Sequence, residues 1–372
     1  MNLLPIKENP MASTALADVT ALPREPLFLS YPIRRYSFGG TLIHDLLGKT
    51  LQPSEETSPL AETWEVSDHG SPGDSARVQS GPLAGASLRE VIARFPQDIM
   101  GAGFSGPEFP LLAKFLDASH MLPVHLHADD ATAQRKYGVA HGKTEAWHIL
   151  WAAPDASILA GVRPGVTRDE LRQALLDGRY DDVMPRYPMR AGDTIYIPGG
   201  VLHSFGPDTL VYEIQQTSDL GISAMPHDLY GQPLDAGAWH ANLDALLDEL
   251  VWAPQPRPHP GLPLPDGVRR ICAAGPHFVL ERLSVRGEFS WTPGGGQVLS
   301  TLEHPLSLRV GDRTFPLAPA QSVILPALLG ELTLAGEGDA ILCALPDLRA
   351  LEAELLAAGR AQADIHALGE FA

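Results

Sequence analysis

Apolar and polar positions alternate over short stretches through most of the chain, the two-residue period of half-buried β-strands. In "AETWEVSDH", Trp64 and Val66 alternate with Glu65 and Ser67. From 270 to 345 the same pattern recurs in "HFVLERLSV", "QVLSTLEH", "LSLRVGD", "QSVILPA" and "GELTLAGEGDAILCAL". A few segments change to the helical period. "SLREVIARFPQDIM" starts on Ser87 as N-cap with Glu90 in the capping-box position, and "TRDELRQALLDGRY" repeats the device with Thr167 and Glu170. "GAWHANLDALLDELV" and the terminal "DLRALEAELLAAGRAQADIH" are further helices. The proline-rich "WAPQPRPHPGLPLPDG" reads as a linker. The expected organisation is an N-terminal extension (1–26), a first β unit with helical insertions (27–255), a linker (256–269), a second β unit (270–346) and a C-terminal helix (347–372).

Composition supports a mainly β chain. The 372 residues include 34 Pro and 35 Gly without a low-complexity repeat, which suits many short strands and turns. A formal charge of -18 repels nucleic acid and anionic membranes, and no Lys/Arg run offsets it. It also means that an anionic ligand needs a local basic pocket. The two cysteines, Cys272 and Cys343, lie far apart, so free thiols in a reducing compartment are expected. Charges and prolines interrupt the N-terminus before any signal-peptide core, and no apolar run reaches the roughly 18 residues needed to span a bilayer. A cytoplasmic protein is expected; its oligomeric state is not legible.

Candidate chemistry begins at "HLHADD", residues 125 to 130. On a strand, His125 and His127 share one face, and paired neutral imidazoles suit a divalent metal. A second segment, "GDTIYIPGGVLH", resembles a characteristic motif of cupin β-barrels, with Gly192, Pro198, Gly200 and His203 at its fixed positions. Its turns and apolar strand would bring His203 into a small barrel opposite the histidine pair. The carboxylate position usual in cupins, three or four residues after the pair, holds Asp130 and Ala131. Asp129 and Asp130 read better as turn or capping carboxylates than as ligands. Glu145, eighteen residues after His127 in "GKTEAWHIL", is the alternative fourth ligand. Such a set leaves an open coordination position, as catalytic sites do.

The chain as a whole resembles the type I mannose-6-phosphate isomerases, especially their short bacterial form. "FGGTLIHDLLGK", "AETWEVSDH", "GPLAGASLREVI", "FPLLAKFLDAS", "LPVHLHADD", "HGKTEAWHIL", "GDTIYIPGGVLHSFG" and "EIQQTSD" follow in that family's order. The resemblance implies two cupin (jelly-roll) domains, the second metal-free, and one Zn2+ per chain at His125, His127, Glu145 and His203, with Fe2+ or Mn2+ as alternatives. It implies interconversion of mannose 6-phosphate and fructose 6-phosphate through a cis-enediol. Lys143, on the face of Glu145, is expected to polarise a substrate oxygen or bind phosphate, with Asp219 near the proton path and Glu145 also orienting water. Trp64 is either barrel core or a sugar-stacking wall, and His148 is expected on the opposite face in a structural role.

Two positions depart from the family pattern. His125 stands where Gln is usual, which keeps metal binding. Ser223 stands where an Arg over the sugar is usual, with Arg34, Arg35 and Arg163 as candidate replacements; Arg34 is counted with Lys143 and Trp64 as substrate-binding. That second departure leaves open an isomerase of another or unphosphorylated sugar, or a non-catalytic sugar-binding cupin. An iron oxygenase, suggested by histidine at 125, lacks the usual carboxylate spacing.

Overall fold

The computed structural model describes residues 16, 19–49, 57–69 and 75–371. Residues 1–15, 17 and 18 of the expected extension lie outside the described residues. The chain begins with β1 (Leu27–Phe28), β2 (Ile33–Gly40), β3 (Leu60–Val66), β4 (Leu111–Ala118) and β5 (His125–Leu126). Then come β6 (Glu145–Ala152), β7 (Ser157–Ala160), β8 (Arg186–Pro188), β9 (Thr194–Ile197), β10 (His203–Gly206), β11 (Thr209–Gln216) and β12 (Ile222–Ser223). Two antiparallel sheets result, ordered β2-β3-β4-β11-β6-β9 and β12-β5-β10-β7-β8. They face each other as a jelly roll over one apolar core. Phe38, Leu116, Trp147, Ile149, Ile195 and Val211 come from the larger sheet, and Ile158, Ala160 and Phe205 from the smaller.

The second half supplies β13 (Leu262–Pro263), β14 (Arg269–Ala274), β15 (Val279–Trp291) and β16 (Gln297–Thr301). It continues with β17 (Leu306–Val310), β18 (Arg313–Leu317), β19 (Ser322–Leu325) and β20 (Leu332–Ala344). β15 and β20 pair along their whole length, from Val279↔Ala344 to Trp291↔Leu332. β16 pairs with one half of β20 and β17 with the other, so the long strands serve both layers of a second barrel. Its interior is aliphatic, including Leu283, Val285, Leu299, Leu308, Val323 and Leu334. β1, at the start of the first half, pairs with β19 of the second.

Strand alternation gives the larger first-barrel sheet two buried faces. Leu116 and Val211 point into the barrel, while their neighbours Phe115 and Tyr212 join Phe278, Leu280, Val298, Ile324 and Ile341 of the second barrel. The half-buried alternation read in "AETWEVSDH" therefore gives way to a strand buried throughout. Glu65, on the outer face, is held by Lys49 at 2.9 Å.

Helices decorate this frame. Ser87/Glu90 and Thr167/Glu170 both form complete capping boxes. The first helix expected from periodicity is two, Leu88–Arg94 and Pro96–Met100, because Pro96 lacks the N–H needed to continue it. The C-terminal helix is likewise two, Leu348–Ala357 and Gln362–His366, separated at Gly359 with φ +78. Among the described residues no helix is long and apolar enough to cross a membrane.

Candidate metal centre

β5 and β10 lie side by side, with His125 directly opposite His203. His127 follows β5, and Glu145 opens β6 in the facing sheet. The turn before β10 is what delivers His203. Gly200 adopts φ +85, and a Cβ there would meet Val251 Cγ2 at 2.4 Å. Its N–H donates to the His127 carbonyl at 2.6 Å, tying the turn to the histidine pair.

Each of the three imidazoles has its Nδ1 at a backbone carbonyl: His125 at Pro123 (2.8 Å), His127 at Leu220 (2.6 Å) and His203 at Val201 (2.8 Å). A carbonyl only accepts, so Nδ1 carries the proton and Nε2 keeps its lone pair. Those lone pairs converge, with Nε2–Nε2 separations of 3.1 Å for His125–His127 and 3.0 Å for His125–His203. Burial holds His125 and His203 at pKa values of about 3, and also lowers His127 well below its usual value. Three neutral lone pairs aimed at one point repel one another unless a cation lies among them. Glu145 completes the set, with Oε1 3.1 Å from His203 Nε2 and Oε2 3.7 Å from His127 Nε2. The four ligand atoms all lie within 4.8 Å of one another. Carbonyl-anchored imidazoles plus one carboxylate fit a divalent metal, with the tautomers already set.

Lys143 reaches the same point. Its Nζ lies 2.9 Å from Glu145 Oε2, 3.4 Å from Glu213 Oε1 and 3.1 Å from His127 Nε2. Burial works to lower its pKa, but the carboxylates of Glu145, Glu213 and Asp219 outweigh that and raise it, so the ammonium stays charged. Glu145 goes the other way: burial opposes ionisation, and Lys143 holds the pKa below the usual carboxylate value. Burial raises Glu213 and Asp219.

A cavity of about 180 Å3 opens onto this cluster, its walls including Tyr36, Glu62, Lys114, His125, His127, Lys143, Asp219, Ser223 and Leu229. Asp219 thus stands at the cavity, as does Ser223, beside His125 on β12. His148 lies on the opposite strand face, its Nδ1 2.7 Å from Thr194 Oγ1. Asp129 caps the turn after the pair by accepting the Thr132 N–H at 2.7 Å.

Trp64 and Arg34 are not among the cavity walls. Trp64 is only 1% exposed, its indole N–H donates to Glu62 at 2.6 Å, and the Arg34 guanidinium lies 3.9 Å from its ring centroid. The two stack on each other behind Glu62, so Trp64 is buried in the fold and does not line the cavity. Arg34 and Arg35 line a separate hollow with Tyr36 and Tyr230. Arg163 is exposed and donates to the Asp181 carbonyl, outside the cavity. The residues that sequence reasoning passed over are Lys114, Glu62 and Glu213. Lys114 Nζ lies 3.2 Å from Glu62 Oε1 and 3.3 Å from Glu213 Oε1. For Lys114 and Glu213 the available signal was a charge inside an apolar run, "LLAKFLDA" and "LVYEIQQ".

A jelly-roll barrel whose mouth gathers three neutral imidazoles and a carboxylate beside a charged lysine is a cupin-like fold with a cluster that could hold a metal ion. The sequence model of the phosphomannose isomerase type I catalytic domain matches residues 27–147, which include His125, His127 and Glu145. A Bacillus subtilis protein described as a probable mannose-6-phosphate isomerase, GmuF, is 37% identical over 204 residues, 55% of this chain and 62% of that relative. The mannose-6-phosphate isomerase of Streptococcus mutans is 29% identical over 304 residues, 81% of this chain and 92% of that protein. The crystal structure of the mannose 6-phosphate isomerase from Bacillus subtilis superposes with a TM-score of 0.76 at 26% identity, covering 86% of this chain and 99% of that one. The chain is thus similar over its residues 27–147 to the type I phosphomannose isomerase catalytic domain, and over most of its length to mannose-6-phosphate isomerases at 26–29% identity.

Proposed function

We propose that the chain is a metal-dependent aldose-ketose isomerase that interconverts mannose 6-phosphate and fructose 6-phosphate. The observation carrying this reading is the convergence of three lone-pair imidazoles and Glu145 beneath a sugar-sized cavity, in a chain whose residues 27–147 match the phosphomannose isomerase type I catalytic domain. His125, His127, Glu145 and His203 would hold one divalent ion, Zn2+ being our assignment. Bound there, the ion supplies Lewis acidity toward the adjacent oxygens that share charge in a cis-enediol, an effect of several kcal/mol.

The chain's own groups supply the rest. Isomerisation removes a proton from C2 of the aldose, returns one to C1, and shifts a hydroxyl proton between the two oxygens. Asp219, at the cavity with its pKa raised by burial, can hold a proton in transit. The Lys143 ammonium donates to a developing oxyanion, and Glu213 between the two lysines fixes both. Tyr36, Leu122 and Leu229 restrict water at the mouth. The division into a metal-bearing unit (27–255) and a metal-free one (270–346), and a cytoplasmic setting, belong to the same proposal.

A second reading has its own observation. Lys114 and Lys143 each lie within 3.4 Å of two carboxylates, and Ser223 brings no cation. Among the described residues, the cavity walls therefore offer no lysine to a phosphate without competition, which suits an unphosphorylated sugar. Purified protein should carry about one divalent ion per chain, and His203→Ala should lose both ion and turnover. A coupled assay with mannose 6-phosphate and with free mannose separates the readings. Turnover that survives chelation would overturn the metal-dependent mechanism.

A further inference from the structure

Asp130, the last residue of "HLHADD", does something that capping does not explain. Its Oδ1 accepts the Gly142 N–H at 2.8 Å and the Gln216 side-chain N–H at 2.9 Å. Gly142 directly precedes Lys143, and Gln216 ends β11 three residues after Glu213. Gln216 passes the link onward, its Oε1 accepting the Thr144 N–H at 2.9 Å and its backbone N–H donating to the Thr144 carbonyl at 3.2 Å. Thr144 Oγ1 then accepts the Gly199 N–H at 3.2 Å, in the turn that delivers His203. Two backbone bonds close the circuit, Lys143 N–H to the Ala128 carbonyl at 2.9 Å and Gly200 N–H to the His127 carbonyl.

Four segments remote in sequence are thus joined by one chain of hydrogen bonds. Each carries a group of the site: the histidine pair, Lys143 with Glu145, His203, and Glu213. The segments touch closely, since a Cβ on Gly142 would lie 2.2 Å from the Ala128 carbonyl oxygen and one on Gly199 2.6 Å from Asp129 Cα. Gln216 and Thr144 are buried, where a polar group left without its partner is costly. Asp130 Oδ2, on the other side, lies 3.8 Å from His277 Nε2, in the turn between β14 and β15 of the second barrel.

We propose that Asp130 and Gln216 are positioning residues of the metal centre. Their hydrogen bond fixes the separation between the histidine pair and the Lys143–Glu145 strand, so that losing it loosens the ligand set while every ligand remains. The inference rests on the metal-centre reading above. Partners beyond the ligands commonly change metal affinity by about 10- to 100-fold when removed.

The test titrates the full chain, stripped by chelation, with Zn2+ against a competing chromophoric chelator, and records thermal midpoints of the metal-free forms. Asp130→Ala should weaken Zn2+ binding by about 10- to 100-fold. Asp130→Asn, whose Oδ1 still accepts both N–H groups, should stay near the parent. Gln216→Ala should behave like Asp130→Ala, and the double variant should be no weaker than either. Unchanged affinity in Asp130→Ala, or Asp130→Asn as weak as Asp130→Ala at equal metal-free midpoints, overturns the proposal. Should Asp130→Ala fail to fold, Gln216→Glu carries the comparison, because it keeps the acceptor for Thr144 and loses the donor to Asp130. Parental affinity there refutes the linkage and weakened affinity supports it. A parent chain that binds no Zn2+ would sink the metal centre itself, an outcome seen before any variant is made.

Discussion

His148 shows how burial alone fixes a protonation state. It has no solvent exposure, its Nδ1 faces Thr194 Oγ1, and its Nε2 has no hydrogen-bond partner among the described residues. Burial first, and the nearby Arg282 second, lower its pKa to about 3. Unfolded, it titrates near 6.5, so between pH 6.5 and 3 the unfolded chain binds the extra proton. Its contribution is therefore complete above pH 6.5 and is lost as the pH falls toward 3, by up to about 1.4 kcal/mol per pH unit. Urea midpoints measured from pH 7 to 4 should fall, and His148→Asn should flatten the slope by up to one proton; an unchanged slope would reject the assignment. At this scale, the candidate ligands His125, His127 and His203 were legible because period-two spacing and a fixed motif announced them, and Glu145 through its segment's resemblance to the isomerase family. Lys114 and Glu213 were not, because a lone charge in an apolar run shows its partners only when β4 and β11 pair, placing Lys114 opposite Glu213.

Elements act here by contact at the limit of packing. The turn "PGG" between β9 and β10 lies against Ala128 and Asp129, one and two residues beyond His127. Gly199→Ala would drive a methyl to 2.6 Å from Asp129 Cα, and backbone there cannot yield as a side-chain tip can. The expected cost is about 1–3 kcal/mol of stability, accompanied by weaker metal retention measured by dialysis against a chelator. Normal retention at a lowered midpoint would confine the turn to a structural role. Capping residues were readable because their chemistry is local, a side-chain oxygen meeting an N–H three residues on. The end of the helix at Pro96 was equally local, yet apolar periodicity ran across it and masked the break.

For the whole molecule, the core between the barrels decides cooperativity. Phe115, Tyr212 and Ile214 of the first barrel pack with Phe278, Val298 and Ile341 of the second, and the Tyr212 hydroxyl lies 3.0 Å from Ser300 Oγ. Neither face can be exposed without uncovering the other. Calorimetry should show one transition for the full chain. Phe278→Ala, which empties a fully buried site beside Tyr196, should lower stability by about 3–5 kcal/mol while keeping a single transition. Two resolved transitions in the parent would show that the barrels unfold separately.

The sequence by itself determined the β character, the capped helices, the histidine pair and the glycine-proline turn, because each depends on neighbours a few residues away. Only the tertiary structure decided that Trp64 is buried against Arg34, that Lys114 joins the cavity, and that Asp130 binds Gly142 and Gln216. Those outcomes depend on strand register and on which faces become buried, and both are set by pairings between segments remote in the chain.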